Sequence, residues 1–227
     1  MMLFALPALK AEESEYKFNN EDKSLEFQVS PLSGSLNIDG VRFRYYNSDN
    51  SALRLNFNMS YNRSSEVEVV EDNDGNSLDL DHSTSAFLFD IRPGYEMHFG
   101  GTERLSPYVG AEAMIALQSS SETRQFYDAL DDDVNELTIS NGQHSVAGFG
   151  PNERGFFGFG LNAVAGFDFY LSENLYIGGE LNYGLSFRTL FDIDPDGDGD
   201  DNLDEEPQGG EFNFQPGARG FRLGYNF

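Results

Sequence analysis

The sequence predicts an all-β fold, specifically an eight-stranded antiparallel up-and-down transmembrane β-barrel. Three observations predict it. Apolar residues recur at every second position over long stretches, as from Phe157 to Leu171, with Gly, Asn and Asp filling most of the positions between. Eight such stretches can be marked, an even number, as expected of a closed antiparallel ring. The connections between them are short on one side and, after the first, long on the other. A helix would spread both residue sets around its circumference, so the two-residue period argues for strands.

Eight strands follow one another along the chain. Ser24 to Leu32 sets Leu25, Phe27 and Val29 against Glu26 and Gln28. Val41 to Tyr46 sets Val41, Phe43 and Tyr45 against Arg42 and Arg44. Ala52 to Asn62 sets Leu53, Leu55, Phe57, Met59 and Tyr61 against Arg54, Asn56, Asn58 and Ser60. Thr84 to Phe99 sets Phe87, Phe89, Ile91, Tyr95, Met97 and Phe99 against Asp90, Arg92, Glu96 and His98. Pro107 to Leu117 sets Val109, Ala111, Ala113, Ile115 and Leu117 against Gly110, Glu112 and Met114. Gly155 to Leu171 sets Phe157, Phe159, Leu161 and Phe167 against Gly158, Gly160, Asn162 and Asp168. Leu175 to Arg188 sets Ile177, Leu181, Tyr183 and Phe187 against Gly178, Glu180, Asn182 and Arg188. The last strand, from about Glu211, sets Phe221, Leu223, Tyr225 and Phe227 against Arg222, Gly224 and Asn226. Short turns fall at Asn47–Ser51, Gly100–Ser106 and Ser172–Asn174, with a short connection also around Ser33–Gly40. Long acidic loops are expected at 63–83, 118–154 and 189–210.

Alternation does not say which face is outside. A soluble barrel points its apolar set inward, and a membrane barrel points it at lipid. The polar face decides. It carries Arg42, Arg44, Arg54, Arg92, Arg188 and Arg222 against Glu26, Asp90, Glu96, Glu112, Asp168 and Glu180. Those charges balance, although the chain holds 39 acids against 14 Lys and Arg and a net charge of −25. Balance is what a confined lumen requires, where each buried charge needs a partner. A water-facing surface has no such requirement. The twelve residues are therefore expected to form a lumen charge network, joined by His98 next to Glu96. Tyr61, Tyr95, Phe99, Tyr108, Tyr170 and Tyr225, toward strand ends, are expected in an interfacial aromatic girdle.

Composition excludes other classes. The acidic balance leaves no basic footprint for nucleic acid. Without cysteine there is neither a disulfide framework nor a thiolate metal site. Tyr and Phe, at 11 and 21 residues, are too numerous for a disordered acidic chain. Residues 1–11 read as the remnant of a secretory signal peptide, with the true start upstream. Residues 12–23 then form an N-terminal periplasmic segment, and 24–227 the barrel, with termini periplasmic and loops extracellular.

The C-terminal Phe221-Arg222-Leu223-Gly224-Tyr225-Asn226-Phe227 resembles the terminal signature of outer-membrane barrels, which ends in Phe behind apolar residues at every second position. Residues 24–227 as a whole resemble the small eight-stranded outer-membrane β-barrel family, of the outer-membrane protein A type and porin-like. The resemblance implies a Gram-negative outer membrane, surrounding lipids and lipopolysaccharide, and an assembly signal at Phe221, Leu223, Tyr225 and Phe227 read by the barrel assembly machinery. The long, very acidic last loop departs from the family pattern.

That loop fits the calcium pattern D-x-[DN]-x-[DN]-G-x5-E from Asp194. Asp194, Asp196, Asp198 and Glu205 would supply carboxylate oxygens, Asp200 a backbone carbonyl, and Gly199 the sharp turn. Asp201 at the eighth position and the flanking strands depart from the usual motif. The competing reading is a solvated acidic loop. Glu71 to Asn76 reads as a turn, and Asp131–Asp133 as a solvated charge run.

Catalysis would need a nucleophile and a base within reach of each other. His82 with Ser83, His98 and His144 show no spacing that marks such a pair. The expectation is a non-enzymatic envelope barrel whose acidic loops bind cations, lipopolysaccharide or an external partner. The alternatives are a narrow cation-preferring channel and a lipid A-modifying barrel enzyme.

Overall fold

The computed structural model describes residues 16–29, 38–143, 154–197 and 209–227, with side chains described except at 29, 38–39 and 215–220. Among the described residues there are ten strands and no helix: β1 (Lys23–Val29), β2 (Ile38–Ser48), β3 (Ser51–Glu71), β4 (Ser77–His98), β5 (Leu105–Asp128), β6 (Asp133–Ser140), β7 (Phe156–Tyr170), β8 (Leu175–Leu190), β9 (Asp194–Gly197) and β10 (Gly209–Asn226). Eight of them form a ring. The order β4-β3-β2-β1-β10-β8-β7-β5 is closed by a β4–β5 pairing, and all the pairings are antiparallel. Closure abolishes free edges within the ring, so every ring strand finds a backbone partner on both sides. The first and last strands seal the ring through Leu25↔Tyr225 and Phe27↔Leu223. Below them Phe227 N donates to the Lys23 carbonyl at 2.8 Å.

The ring is inside out relative to a water-soluble protein. Arg42, Arg44, Glu26, Glu96 and Asp168 are fully buried. Leu181, Leu161, Tyr61, Met59 and Leu53 are more than half exposed on the outer wall. Such a surface is stable only where apolar solvent covers it. On β3 this belt runs from Leu53 to Tyr61, and on β5 from Val109 to Leu117. Those spans match the roughly 9–11 residues of a tilted membrane strand.

At one end, tight connections of the expected kind join β2 to β3, β4 to β5 and β7 to β8. At the other end the structure corrects the expected loops. The stretch 63–83 is mostly strand, since β3 continues to Glu71 and β4 begins at Ser77. The stretch 118–154 holds nearly the outer half of β5 and all of β6, and 189–210 holds β9. The reason is local packing. Leu137, Ile139 and Ile193 form a second buried apolar cluster with Phe126 against it, and Leu80 on β4 is buried too. The cluster of Leu137, Ile139, Ile193 and Phe126 gives the extensions a small core of their own. The two outer hairpins are also tied at their tips. Asn73 N donates to Tyr127 Oη at 2.9 Å, and Asn73 Nδ2 to the Ala129 carbonyl at 2.9 Å.

Candidate functional site

The lumen is occupied by a network to which every ring strand contributes. Glu26 comes from β1, Arg42 and Arg44 from β2, Arg54 from β3, and Glu96 from β4. Glu112 comes from β5, Asp168 from β7, Glu180 from β8 and Arg222 from β10. Each stands on the inward parity of its strand. Arg44 reaches Asp168 at 2.6 Å, Glu26 at 2.8 Å and Glu96 at 2.8 Å. Arg222 reaches Glu26 and Asp168, each at 2.9 Å. Arg42 bridges Glu26 at 3.2 Å and Glu180 at 3.0 Å. Arg54 meets Glu180 at 2.9 Å, Glu96 at 3.0 Å and Glu112 at 3.3 Å. Four guanidiniums thus interleave with five carboxylates. Such planar forks suit this setting because one Arg can serve several carboxylates at fixed angles.

Neutral groups complete the layer. Tyr176 Oη donates to Glu26 at 2.7 Å, and Tyr108 Oη to Glu180 at 2.6 Å. Asn56 and Asn162 donate to the two oxygens of Glu112 at 2.8 and 3.2 Å. Two glycines make room for the tyrosines. A Cβ on Gly166 would strike the Tyr108 ring, and one on Gly224 the Tyr176 ring.

Three of the twelve expected network residues lie apart from this layer. Arg92 pairs with Asp90 at 2.7 Å, two residues away on the same strand. Arg188 stands 4.0 Å from Glu211 and over the Phe156 ring at 4.5 Å. The girdle reading also needs correction at two positions. Tyr108 and Tyr170 are buried inside the ring, because each shares the parity of the inward residues Glu112 and Asp168. Tyr61, Tyr95, Phe99 and Tyr225 do face outward.

A second layer closes the end with the tight turns. Phe18 enters the ring mouth and stacks on Tyr46 at 3.8 Å between centroids. It meets His98 edge-on at 4.5 Å. Tyr170, Tyr176 and Ala52 complete this buried cluster. Glu21, at φ 75°, turns the chain out again, and its N–H donates to the Tyr46 carbonyl at 2.7 Å. Sequence reasoning missed Phe18, Tyr46 and Tyr176. Parity flags the two tyrosines, whereas no periodic signal marks Phe18.

His98 links the two layers. Its Nε2 faces Glu96 at 3.1 Å and its Nδ1 faces Ser106 Oγ at 2.9 Å. A hydroxyl, an imidazole and a carboxylate in series have the composition of a nucleophilic relay. Here all three are buried, Phe18 and Tyr108 occupy the flanking space, and Glu96 is shared with Arg44 and Arg54. The relay therefore fixes His98 as a wall of the plug. His82 contacts Glu122 at 3.0 Å and hydrogen-bonds to no hydroxyl among the described residues. Ser83, next in sequence, takes the opposite face of β4. His144 lies outside the described residues.

Residues 28–190 match the family described as "Putative OmpA-OmpF-like porin family". The chain belongs to this porin-like family. Its fold is that of an outer-membrane β-barrel protein, in agreement with the inverted burial above. No curated protein matches the chain. The matched span covers β2 to β8, so this porin-like chain places most of its lumen layer inside the family region and Glu26 and Arg222 outside it.

Of the expected calcium ligands, Asp194 and Asp196 lie on β9, paired with Ser140 and Thr138 of β6. Both are exposed. Gly197 adopts φ 124° at the end of β9. Asp198, Gly199, Asp200 and Glu205 lie outside the described residues. Among the described residues no group of three or more His, Asp or Glu could hold a metal ion. At the C-terminus, Phe221, Leu223 and Tyr225 of β10 and Phe227 just beyond it are all exposed. Arg222 and Asn226 alternate with them inward.

Proposed function

We propose that this protein is a non-enzymatic, non-conducting anchor in the outer membrane, and that its acidic extramembrane sheet is the working part. That sheet would meet cations, lipopolysaccharide through divalent bridges, or an external protein, with the termini on the periplasmic side. The observation that carries the reading is the layered closure of the lumen. An ion crossing the ring would have to displace Phe18 and then part a lattice in which every carboxylate is already shared. Removing one partner from such a lattice leaves an uncompensated buried charge, at a cost of about 3–5 kcal/mol. The bulk of the acidic excess lies outside the layer, because the lumen itself is close to charge balance.

Planar bilayer recording of the detergent-folded protein tests this. The expected result is no steady conductance at ordinary voltages. Stable, cation-selective unit currents would overturn it in favour of a narrow channel.

A further inference from the structure

We propose that the outer part of β3, from Ser64 to Glu71, is a docking edge for an extended basic polypeptide segment, which adds to the sheet as an antiparallel strand. The proposal rests on the topology and on the side-chain pattern of that stretch. β3 pairs with β4 along its whole length, out to Glu71↔Ser77. On its other side it pairs with β2 only as far as Phe57↔Val41. Beyond that, among the described residues, no strand lies along β3. Among the described residues the ring thus has no free edge, but its extension has a long one, with backbone donors and acceptors directed sideways.

The edge is patterned. Val67 and Val69 lie on one face, 58% and 63% exposed. Glu66 and Glu68 lie on the other, both exposed. The neighbouring strand adds Asp81 opposite Val67 and Asp79 opposite Val69, on the valine face, while Val70 shares the face of Glu66 and Glu68. No basic residue occurs from Ser64 to Glu71. The one cross-strand imidazole, His82 opposite Glu66, is already engaged by Glu122.

This pattern selects its guest. An added strand alternates its own side chains between the same two faces. Beside Val67 and Val69 it must present apolar residues. Beside Glu66 and Glu68 it must present Lys or Arg, since like charges directly opposite are destabilising. A second copy of this chain does not fit. Antiparallel self-pairing that sets valine beside valine also sets carboxylate beside carboxylate. The same carboxylates therefore guard the edge against self-association and admit a basic strand. The edge stands outside the apolar belt, so an aqueous partner can reach it. The inference deepens the anchor reading above by naming the partner chemistry, yet it holds whether or not the lumen conducts.

The test uses the full-length protein folded in detergent and a nine-residue synthetic peptide of alternating Lys and Val. A control peptide has the same composition, with its lysines and valines in separate blocks. Fluorescence anisotropy is expected to show saturable binding of the alternating peptide and much weaker binding of the block peptide. Hydrogen exchange is expected to slow in the segment 64–71 and nowhere in the ring. The double substitution Glu66→Lys with Glu68→Lys should weaken binding by about tenfold, as two cross-strand pairs change from attractive to repulsive. That protein must keep the heat-modifiable gel mobility of a folded barrel. Equal binding of the two peptides would overturn the proposal, because it would mean general attraction to an acidic surface. Binding without slowed exchange at 64–71, or no binding, would overturn it as well.

Discussion

Arg44 is the residue on which the lumen layer depends most. It serves Glu26, Asp168 and Glu96 at once, and its guanidinium lies over the Tyr108 ring at 5.0 Å. Arg44→Met keeps much of the side-chain volume and removes the charge. Three buried carboxylates then lose a partner. The expected cost is about 3–5 kcal/mol, seen as a lower urea midpoint for unfolding from detergent. An unchanged midpoint would mean that the remaining arginines rearrange to cover the loss. A second residue carries a pH dependence outside the membrane. Asp72, at the tip of the β3–β4 hairpin, accepts from Asn76 Nδ2 at 2.8 Å and from the N–H groups of Asn76 and Asp74 at 2.7 and 2.9 Å. These bonds, the Asn76 side chain foremost, hold its carboxyl below the usual aspartate value. A carboxyl depressed in the folded state stabilises the tip above its unfolded value of about 3.9. That contribution fades as pH falls through the folded value. Amide resonances of Gly75 and Asn76 should therefore move only below about pH 4, and Asp72→Ala should abolish the transition. Both roles were partly legible in the sequence. Arg44 could be placed inward by its parity together with the charge balance of that face, and the Asp-Gly tip read as a turn. Which carboxylates meet Arg44 could not be read, because Asp168 lies far along the chain and only ring closure brings it near.

At the level of elements, the ring strands were legible and the extensions were not. A lipid-facing strand must keep its apolar residues on one parity throughout, so β7 and β8 announce themselves. Outside the membrane that demand lapses. β3 beyond Tyr61 and β6 carry mixed polar sequences, held by hairpin pairing and by the cluster of Leu137, Ile139 and Ile193. Only Leu137 and Ile139 show the period within β6, too little to mark a strand. The acidic motif after β8 shows the consequence for a site. Its first two carboxylates, Asp194 and Asp196, are two residues apart on a strand and so project from one face. If calcium is the ligand of this segment, with Asp198, Asp200 and Glu205 completing the set, titration calorimetry should give saturable heat. The dissociation constant should be about 10⁻⁴–10⁻³ M, as in extracellular modules, and Asp196→Ala should remove the heat. Heat that survives that substitution would leave only a diffuse attraction of cations to carboxylates.

The whole molecule is two barriers in series below an exposed sheet. Phe18 and its aromatic floor close one mouth, and the charge lattice fills the middle of the ring. His98 joins them, since it packs on Phe18 and hydrogen-bonds to Glu96. The two closures are nevertheless held by different means. The plug belongs to the segment before β1, tied by Glu21 to the Tyr46 carbonyl and by Asn20 to Asp49 at 3.2 Å. The lattice belongs to the ring strands and needs nothing from that segment. Deleting residues 1–22 should therefore empty the mouth without opening the path. The shortened barrel is expected to refold with heat-modifiable mobility and to remain silent in planar bilayers. In the same protein, the aromatic floor at Tyr46 and Tyr170 should gain access to aqueous quenchers of tyrosine fluorescence. Conductance after this deletion alone would mean that the lattice parts readily and that the plug is the gate. Silence together with quenching would place the seal in the nine interleaved charges, and would leave the molecule's exchanges with its surroundings to the sheet outside the membrane.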